Sequence, residues 1–422
     1  MTILFMETPQ ATFGTQFWQS ISGSVTRDTT AARDPLGLSS WKCDSGAGNA
    51  TAYASKNLTQ PRRNSSYIYF VDFPSSTIAF FGGSSADNQV AITSTGVLKL
   101  LKNGAEIGSG STLSTATLYR ISLSYDGTNA KVWVNGVQDI SAASSIGNAY
   151  IVIGWFSAPG ANKVLNFSHV YVDDVTDLTD PGGGSGYNLY VTAKLPAAVN
   201  NNQYTTTGGT GDVNERPLSE TNYKAELGKT AYLQDYTLQT AAVGDADLTA
   251  SGITLIARCA WMWARASKID TFYIVDNGDS ATGFATAAGG VYQMCTKLTD
   301  SATYPSNAAG IGQKSTGTAG DSYLAECGML IAYKETTGGI AYLTLQSVAG
   351  IAAVSNLVIG TPLVTLQSVA GVAAVTNLTI ATPGNLALQS VAGVAAVTNV
   401  VVGTPLVTLQ SVAGVASLPN VN

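Results

Sequence analysis

Residues 118–137 read LYRISLSYDGTNAKVWVNGV, a stretch of strand-like runs separated by turn signals. Apolar and polar residues alternate from Ile121 to Tyr125, which is the pattern of a half-buried antiparallel strand. Asn135 and Gly136 stand between two valines and give the strongest short hairpin signal, because a type I′ turn needs positive φ at both central positions. The stretch therefore predicts linked antiparallel hairpins.

The composition of the whole chain agrees with a β-rich fold. Only 11% of the residues are charged and 44 of 422 are glycine, with short apolar runs between turn residues. This is typical of all-β proteins. A chain of this length is too long for one core and predicts two to three domains. The net charge of −6 offers no basic surface for phosphate groups, so we expect no nucleic-acid partner.

Strand-like runs of the same kind flank this stretch, for example Tyr67–Val71 and Ile78–Phe81. With these runs and the hairpins at 118–137, the stretch from residue 10 to residue 178 resembles the concanavalin A-like, laminin-G-like jelly roll. The resemblance implies two curved antiparallel sheets and, as the commonest activity of the family, carbohydrate or protein adhesion, sometimes with calcium. The glucanases of the family carry a Glu-x-Asp-x-x-Glu strand motif that this stretch lacks, so we expect no catalytic residues.

Four aspartates gather at the end of this predicted domain: Asp173, Asp174, Asp177 and Asp180. Calcium prefers several carboxylates on a turn, so this cluster is where the sequence could hold that ion. The alternative is a solvated entry to the glycine-rich segment that follows. We expect no other metal and no cofactor.

Aromatic residues of the same region have two interpretations. They could form a platform on which a sugar stacks, or they could fill the core of the sandwich, which is the commoner role of tryptophan. The tryptophans concerned are Trp18, Trp41, Trp133 and Trp155. His169 is interpreted as an ordinary strand residue, because no second histidine and no serine-turn motif are present to form a triad.

Residues 181–186 read PGGGSG and are predicted to form a flexible joint. On this basis residues 1–180 and 187–335 form separately folding antiparallel sandwiches, each with its own core. The clearest strand of the second region places Trp261 and Trp263 on one face, since side chains alternate along a strand. We interpret that face as core.

The second region has a resemblance of its own. It is similar to a module that recurs in virion proteins of tailed bacteriophages, often directly behind a laminin-G-like domain. The segments that carry the resemblance are Asp212–Pro217, Asn222-Tyr223, Gln234–Leu238, Ile256–Arg258 and Tyr292. Relatives also show an Asp-Pro-x-Thr segment, which Thr299–Pro305 only approximates. The resemblance implies a structural protein of a phage particle.

Four cysteines, Cys43, Cys259, Cys295 and Cys327, stand at long irregular spacings. Zinc sites need closely paired ligands, so no structural zinc is expected, and both one disulfide and free buried thiols are open alternatives. The N-terminus has no basic residue before its short apolar run, which does not fit a signal peptide. No apolar run is long enough to span a membrane.

The last fifth of the chain, residues 336–422, repeats a block that begins Leu-Gln-Ser-Val-Ala-Gly. The blocks start at Leu345, Leu366, Leu388 and Leu409. No Asp, Glu, Lys, Arg or His follows Glu335. Uncharged β-rich segments template self-association at their strand edges. We therefore expect copies of the chain or a partner to cover this segment.

Large apolar residues inside each block are spaced by three. Residues spaced by three drift off a single face of an α-helix, so the pattern does not predict a helix. Prolines at 362, 383 and 405 would mark bends between blocks. Repeats of about 20 residues are typical of stacked architectures, so the segment is predicted to be a β-solenoid or an intertwined stalk, with a low-complexity linker as the alternative. The residues predicted to drive assembly are Leu345, Val348, Ile351, Leu366, Val369, Val372, Leu388, Val391, Val394, Leu409, Val412 and Val415.

Together these patterns predict a non-enzymatic virion protein, a head decoration or a neck or tail fibre, made in the host cytoplasm. Its partners would be copies of itself, with a trimer as one option, other virion proteins and a cell-surface glycan. A second hypothesis is a carbohydrate-binding surface adhesin, which should carry a signal peptide or sorting tail. A third is a glycan hydrolase, which needs two carboxylates about 5 to 10 Å apart beside a cleft.

Overall fold

The computed structural model has regular structure that is nearly all β, with several antiparallel sheets, which confirms the predicted all-β class. The residues it describes are 2–9, 16–202, 204, 206–208, 223–229, 233–239, 248, 252–266, 271–274, 292–300, 311–314, 320–336, 345–346, 349–359, 363–367, 370–380, 385–392, 395–402, 406–413 and 416–417.

The chain divides into two compact units, Met1–Lys334 and Glu335–Asn422. The first unit contains both predicted sandwich regions, and the second contains the repeats. Within the described ranges, no helix has the length and apolar character that a membrane span requires.

The N-terminal part of the first unit is a sandwich of two antiparallel sheets. Its strands are β1 (Ile3–Glu7), β2 (Ser20–Ser22), β3 (Ser24–Asp28), β4 (Ser40–Asp44), β5 (Ala52–Asn57), β6 (Arg63–Phe70), β7 (Ile78–Gly82), β8 (Asn88–Ile92), β9 (Val97–Lys102), β10 (Ala105–Thr112), β11 (Leu118–Tyr125), β12 (Asn129–Val134), β13 (Val137–Ala143), β14 (Tyr150–Trp155) and β15 (Val164–Asp173), and a 3₁₀ turn spans Ala31–Arg33.

Sheet A has the order β13-β12-β11-β6-β15-β4-β3, with β1 also paired to β15, and sheet B has the order β10-β9-β8-β7-β14-β5-β2. Side chains that alternate along the strands of both sheets fill the space between them. Large, fully buried rings of this core include Trp41, Phe70, Phe80, Phe81, Trp155 and Phe167.

The hairpins predicted from residues 118–137 are present. Strand β11 pairs with β12, and β12 pairs with β13 across the turn at Asn135 and Gly136. Asn135 has a φ of 50° and Gly136 a φ of 79°, so both central positions are left-handed, as a type I′ turn needs. Gly136 also lies against Gly184, because a Cβ on it would be 2.2 Å from that residue's carbonyl oxygen. A larger residue would push the two segments apart.

The rest of the first unit forms two further sheets. Its strands are β16 (Tyr187–Lys194), β17 (Pro196–Asn202), β18 (Thr206–Gly208), β19 (Tyr223–Lys229), β20 (Leu233–Leu238), β21 (Ile253–Ala266), β22 (Thr271–Ile274), β23 (Gln293–Asp300), β24 (Ile311–Lys314) and β25 (Gly320–Thr336). Sheet C has the order β18-β19-β25-β21-β23, with β16 paired to β25, and sheet D has the order β17-β20-β24-β22. Residues 212–217 and Asn222, which carry part of the second resemblance, lie outside the described residues.

The two β-regions share buried surface inside this unit. Phe17 of the first region meets Trp261 of the second edge to face, with ring centroids 5.8 Å apart. On the outer face of sheet A, Tyr67 stacks on Tyr190 with centroids 5.7 Å apart. Both apolar clusters of the unit contain residues of both regions. Separate folding of residues 1–180 and 187–335 stays a prediction, and this shared core argues against it.

Segment 181–186 was predicted to be a flexible joint, but it is anchored at its start: Pro181 and Gly182 are buried, whereas Gly183, Ser185 and Gly186 are exposed. The amide of Gly184 donates to Oδ2 of Asp180 at 3.1 Å. The guanidinium of Arg120 occupies the space beside Gly182, where a Cβ would lie 1.3 Å from Nη1. The prediction of a flexible joint took only apolar packing partners into account. Glycine instead makes room for a charged side chain that reaches it from β11.

Glu7, at the end of β1, is a fully buried carboxyl group. The indole Nε1 of Trp41 donates to its Oε1 at 2.7 Å. Burial raises the pKa of Glu7 to about 8, although the Trp41 bond acts in the opposite direction. The folded chain therefore keeps a proton on Glu7 at pH values where an ordinary glutamate, with a pKa of 4.5, has lost it.

We expect Glu7→Gln to make the protein more stable than the wild type as pH rises from about 4.5 to about 8. The folded state binds more protons than the unfolded state in this window, so wild-type stability falls with rising pH. Glutamine keeps the acceptor for Trp41 and cannot ionise. Urea unfolding across this range should show a difference that grows to the order of a few kcal/mol. Glu106→Gln, on an exposed strand, is the control, and equal pH slopes for Glu7→Gln and wild type would contradict the assignment.

The second unit consists of the repeats, whose strands pair in parallel. They are β26 (Leu345–Gln346), β27 (Ala349–Ile359), β28 (Leu363–Gln367), β29 (Ala370–Ile380), β30 (Asn385–Ala392), β31 (Ala395–Val402), β32 (Leu406–Ala413) and β33 (Ala416–Ser417). Strands β26, β28, β30 and β32 follow one another in one column, and β27, β29, β31 and β33 in another. Successive blocks of one chain therefore stack on each other, which is the arrangement of a β-solenoid.

The stacking keeps equal block positions in register. Leu345 pairs with Leu366, Leu366 with Leu388, and Leu388 with Leu409. The predicted assembly residues Ile351 and Val372 are partners in the same way, as are Val391 and Val412. The predicted assembly and bend residues that lie outside the described residues are Val348, Val369, Val394, Val415, Pro362, Pro383 and Pro405.

Candidate functional site

The outer face of sheet B carries a concave pocket of about 320 Å³. Its wall is formed by side chains of β5, β8 and β14 and of the loops next to them. The lining residues are Tyr53, Ser55, Ser84, Ser85, Gln89, Tyr150, Val152 and Phe156.

Strand alternation places these side chains outside the sandwich. Along β5, Ala52 and Ala54 belong to the core, so Tyr53 and Ser55 between and beyond them face outward. Antiparallel pairing with β14 sets Tyr53 opposite Gly154 and Ser55 opposite Val152. Gly154 has a φ of +122°, and a Cβ there would lie 2.4 Å from the carbonyl oxygen of Ala52. The same Cβ would lie 2.8 Å from Sγ of the buried Cys43, so glycine is needed here to let β14 pair closely with β5.

Three aromatic rings, those of Tyr53, Tyr150 and Phe156, are half-buried in the wall. Tyr53 and Phe156 meet edge to face, with centroids 6.1 Å apart and planes at 66°. Rings held in this way have little rotamer freedom left to lose, and their free faces offer apolar surface to a ligand. Aromatic walls with a few polar groups are typical of small-molecule sites.

The polar part of the wall is built on the loop between β7 and β8. Asp87, which is only 7% exposed, accepts hydrogen bonds from the amide and the hydroxyl of Ser84, both at 2.8 Å. Gln89 donates from Nε2 to the carbonyl oxygen of Gly83 at 3.3 Å. These bonds fix the loop, and Ser85 remains exposed at its tip. The pocket thus has hydroxyl and amide groups in fixed positions.

No side chain of the pocket wall carries a charge. Lys56, next to Ser55 on β5, points to the opposite face, where its Nζ donates to the carbonyl oxygen of Phe17 at 3.1 Å. Burial lowers the pKa of Lys56. Lys99, on β9 of the same sheet, is paired with Glu106 at 2.8 Å.

The tryptophans considered from the sequence lie elsewhere. Trp18, Trp41 and Trp155 are buried in the sandwich, which confirms the core interpretation for these three. Trp133 is half-buried on β12, where its Nε1 donates to the hydroxyl of Ser124 at 3.0 Å. The sequence did not single out the pocket residues. The alternation of small and large side chains around Tyr53 in β5 was the available signal.

The aspartates considered for calcium are bound by protein groups. Arg63 holds Asp173 through Nε at 2.9 Å and Nη2 at 2.7 Å, and it reaches Asp177 through Nη1 at 3.0 Å. Arg120 pairs with Asp180 at 2.9 Å.

The fourth aspartate, Asp174, accepts a hydrogen bond from the amide of Thr2 at 2.6 Å. Arginine thus supplies the positive charge for three of the four carboxylates, and the group does not converge on one point. Within the part of the chain that the structure describes, no group of three or more His, Cys, Asp or Glu side chains could hold a metal ion.

His169 is not the ordinary strand residue that the sequence predicted. It lies at an irregularity of the β15–β6 pairing with a φ of +52°, and it is buried. Its Nε2 is 3.0 Å from Oδ2 of Asp34, and its Nδ1 is 2.8 Å from the carbonyl oxygen of Val191. Burial alone would raise the pKa of Asp34, but His169 and backbone amides hold it below its usual value. The contact of His169 with Val191 joins the two β-regions, and the His169–Asp34 pair is closed to solvent.

A row of aromatic residues on sheet C is a structural stack. Arg265 lies over the ring of Tyr323 at 3.9 Å and over that of Tyr292 at 5.0 Å. Trp263 stacks on Tyr292 with centroids 6.2 Å apart, and Tyr223 meets Tyr323 edge to face at 5.1 Å. Because the ring faces are used by neighbours, the row has less to offer a ligand than the sheet B pocket.

The described thiols are also unsuited to chemistry. Cys43, Cys259 and Cys327 are buried and form no disulfide, so the thiol alternative holds for these three. Burial raises the pKa of Cys259 to about 12 and that of Cys43 further, which keeps both protonated and unreactive. The side chain of Cys295 lies outside the described residues.

Comparisons with known proteins do not identify a family. No family model and no curated protein matches the chain. Among solved structures, the cellulose-induced protein Cip1 is 17% identical over 41% of this chain and 91% of its own, with a TM-score of 0.30. The carbohydrate-binding module CBM66 from Bacillus subtilis is 14% identical over 35% of this chain and 91% of its own, with a TM-score of 0.25.

A mutant of Trypanosoma rangeli sialidase that displays trans-sialidase activity is 10% identical, over 40% of this chain and 30% of its own, with a TM-score of 0.32. These TM-scores are too low to decide between binding and catalysis. The neighbours include carbohydrate-binding β-sandwich modules.

Proposed function

We propose that this chain is a glycan-binding structural protein that holds a saccharide in the sheet B pocket and does not cleave it. The observation that carries the proposal is the pocket itself: three aromatic rings beside fixed hydroxyl and amide groups on an open sheet face. Sugar rings present apolar faces and hydroxyl edges, and this wall matches both. Because the site is shallow, we expect modest affinity.

The chemistry of the wall favours binding over hydrolysis. Glycosidases use two carboxyl groups on either side of the scissile bond. The pocket is lined by tyrosine, serine, glutamine, valine and phenylalanine, and the neighbouring carboxylate of Asp87 is engaged by Ser84. We therefore include the absence of enzymatic activity in the proposal.

The second part of the proposal concerns where the protein is located. We assign it to a phage particle, as a head decoration or a neck or tail fibre, where it meets copies of itself and other virion proteins. Support comes from the resemblance of the second region to virion modules and from the uncharged repeats, whose blocks stack in register. A surface adhesin would use the same pocket. An antibody against Met1–Lys334 should label intact phage particles if the protein is a virion component, and it should not label them if the protein is a surface adhesin.

We expect Tyr53→Ala to weaken saccharide binding about fivefold, since one stacked ring contributes on the order of 1 kcal/mol. A glycan array with the full chain identifies a ligand, and titration calorimetry then compares the variants. Tyr187→Ala is the matched control, because that ring is exposed on β16 and its bond with Arg120 uses the backbone carbonyl. Equal affinity of Tyr53→Ala and wild type would remove the pocket from the proposal.

A further inference from the structure

We infer that the sheet B pocket selects an uncharged saccharide of one or two rings and holds it without a metal ion. The inference rests on the proposed function, because it concerns the ligand of the same pocket. Three features of the site support it: the charge of its wall, the hydrogen bonds of the carboxylate of Asp87 beside the wall, and its size.

The wall of the pocket offers no cation to an anionic sugar. A carboxylate that leaves water needs a cation or several N–H donors. The wall holds only neutral side chains. Of the lysines on the strands of this sheet, Lys56 is turned to the other face, Lys99 is paired with Glu106, and Lys102 donates to Ser145 at 3.2 Å.

An acidic group beside the wall adds repulsion. Asp87 adjoins the wall through Ser84, so a sugar carboxylate near Ser84 would approach a like charge in a partly buried site. An uncharged hydroxyl avoids this cost. It can donate to or accept from Ser55, Ser84, Ser85 and Gln89, because hydroxyl and amide groups do both.

The same carboxylate is not available to calcium. Calcium takes six to eight oxygen ligands, usually with more than one carboxylate. Oδ2 of Asp87 already accepts two hydrogen bonds from Ser84, and none of the lining residues is acidic. A volume of about 320 Å³ is at the lower end of small-molecule pockets, which fits one or two sugar rings rather than a long chain.

The test uses the full chain and matched probes: methyl glucoside with methyl glucuronide, and methyl galactoside with methyl galacturonide. Each is titrated in excess EDTA and again with calcium added. We expect the neutral member of at least one pair to bind about tenfold more tightly, with no effect of EDTA. Ser85→Lys, which puts a cation at the exposed loop tip, should shift the preference several-fold toward the acidic member. Ser114→Lys adds the same charge at an exposed position after β10 and should leave the preference unchanged.

The possible results separate the two proposals. Tyr53-dependent binding of an acidic member that equals or exceeds binding of its neutral partner would overturn the inference and leave the proposed function standing. Binding that EDTA abolishes would also overturn the inference and leave the proposed function standing. If the full chain binds no saccharide either here or on a glycan array, the proposed function fails and the inference fails with it.

Discussion

Replacement of Arg120 by alanine is expected to lower the free energy of unfolding by about 3 to 5 kcal/mol. Arg120 and Asp180 form a salt bridge at 2.9 Å, with side chains that are 2% and 1% exposed. The same guanidinium donates to the carbonyl oxygens of Gly184 and Tyr187 at 3.3 Å and 3.1 Å. Without it, a buried carboxylate loses its ion-pair partner and two carbonyl groups lose a donor. The segment 181–186 also loses the group against which it packs.

Urea unfolding and limited proteolysis measure this effect. The wild type should resist cleavage within residues 181–186, whereas Arg120→Ala should be cut there first. Arg120→Met combined with Asp180→Asn removes both charges and should recover part of the loss. Arg62→Ala, which removes a guanidinium that lies over the Tyr125 ring, is the control and should cost about 1 kcal/mol or less. Early cleavage at 181–186 in the wild type would instead support the prediction that this segment is a flexible joint.

A chain that ends at Thr336 is expected to remain a folded monomer, whereas the full chain should form oligomers. Thr336 is the last residue of β25, so the cut leaves the first unit with all of its strands. The removed segment has no charged residue, and uncharged parallel strands leave open edges that favour association. Light scattering after size-exclusion chromatography gives the mass of each species, and near-ultraviolet circular dichroism reports the fold.

Deletion of one block, residues 366–387, is the matched control for this truncation. It places Leu388 where Leu366 stood, so the remaining blocks keep their register and the segment keeps both ends. This variant should still form oligomers. An oligomer of unchanged size from the chain that ends at Thr336 would assign assembly to the first unit and make the repeats a spacer.

The parts of the fold that follow from local chemistry could be predicted from the sequence. The Asn135-Gly136 turn was predicted because its backbone conformation depends on those two residues alone. The in-register stacking of the repeats follows from their nearly constant period of 21 or 22 residues. The anchoring of segment 181–186 could not be predicted in this way, since its partner Arg120 lies about 60 residues earlier on β11.

The candidate site was missed for a similar reason. Tyr53 and Tyr150 are distant in sequence and line the same pocket only because β5 and β14 pair in sheet B. Tyrosine in a strand is common, so neither residue stands out by itself. His169 shows the same limit, because its left-handed backbone and its contact with Asp34 depend on an irregular pairing between distant strands.

The two sheets of the first sandwich have different neighbours. Sheet A is covered by the second β-region, with Tyr67 stacked on Tyr190, whereas the outer face of sheet B is open at the pocket. If copies join through their repeats, each assembly carries several such open faces. After one pocket has bound a glycan-coated surface, the next binds at a high effective concentration, and overall avidity can exceed single-site affinity by about 10²- to 10⁴-fold. A weak pocket is then sufficient for firm and reversible attachment.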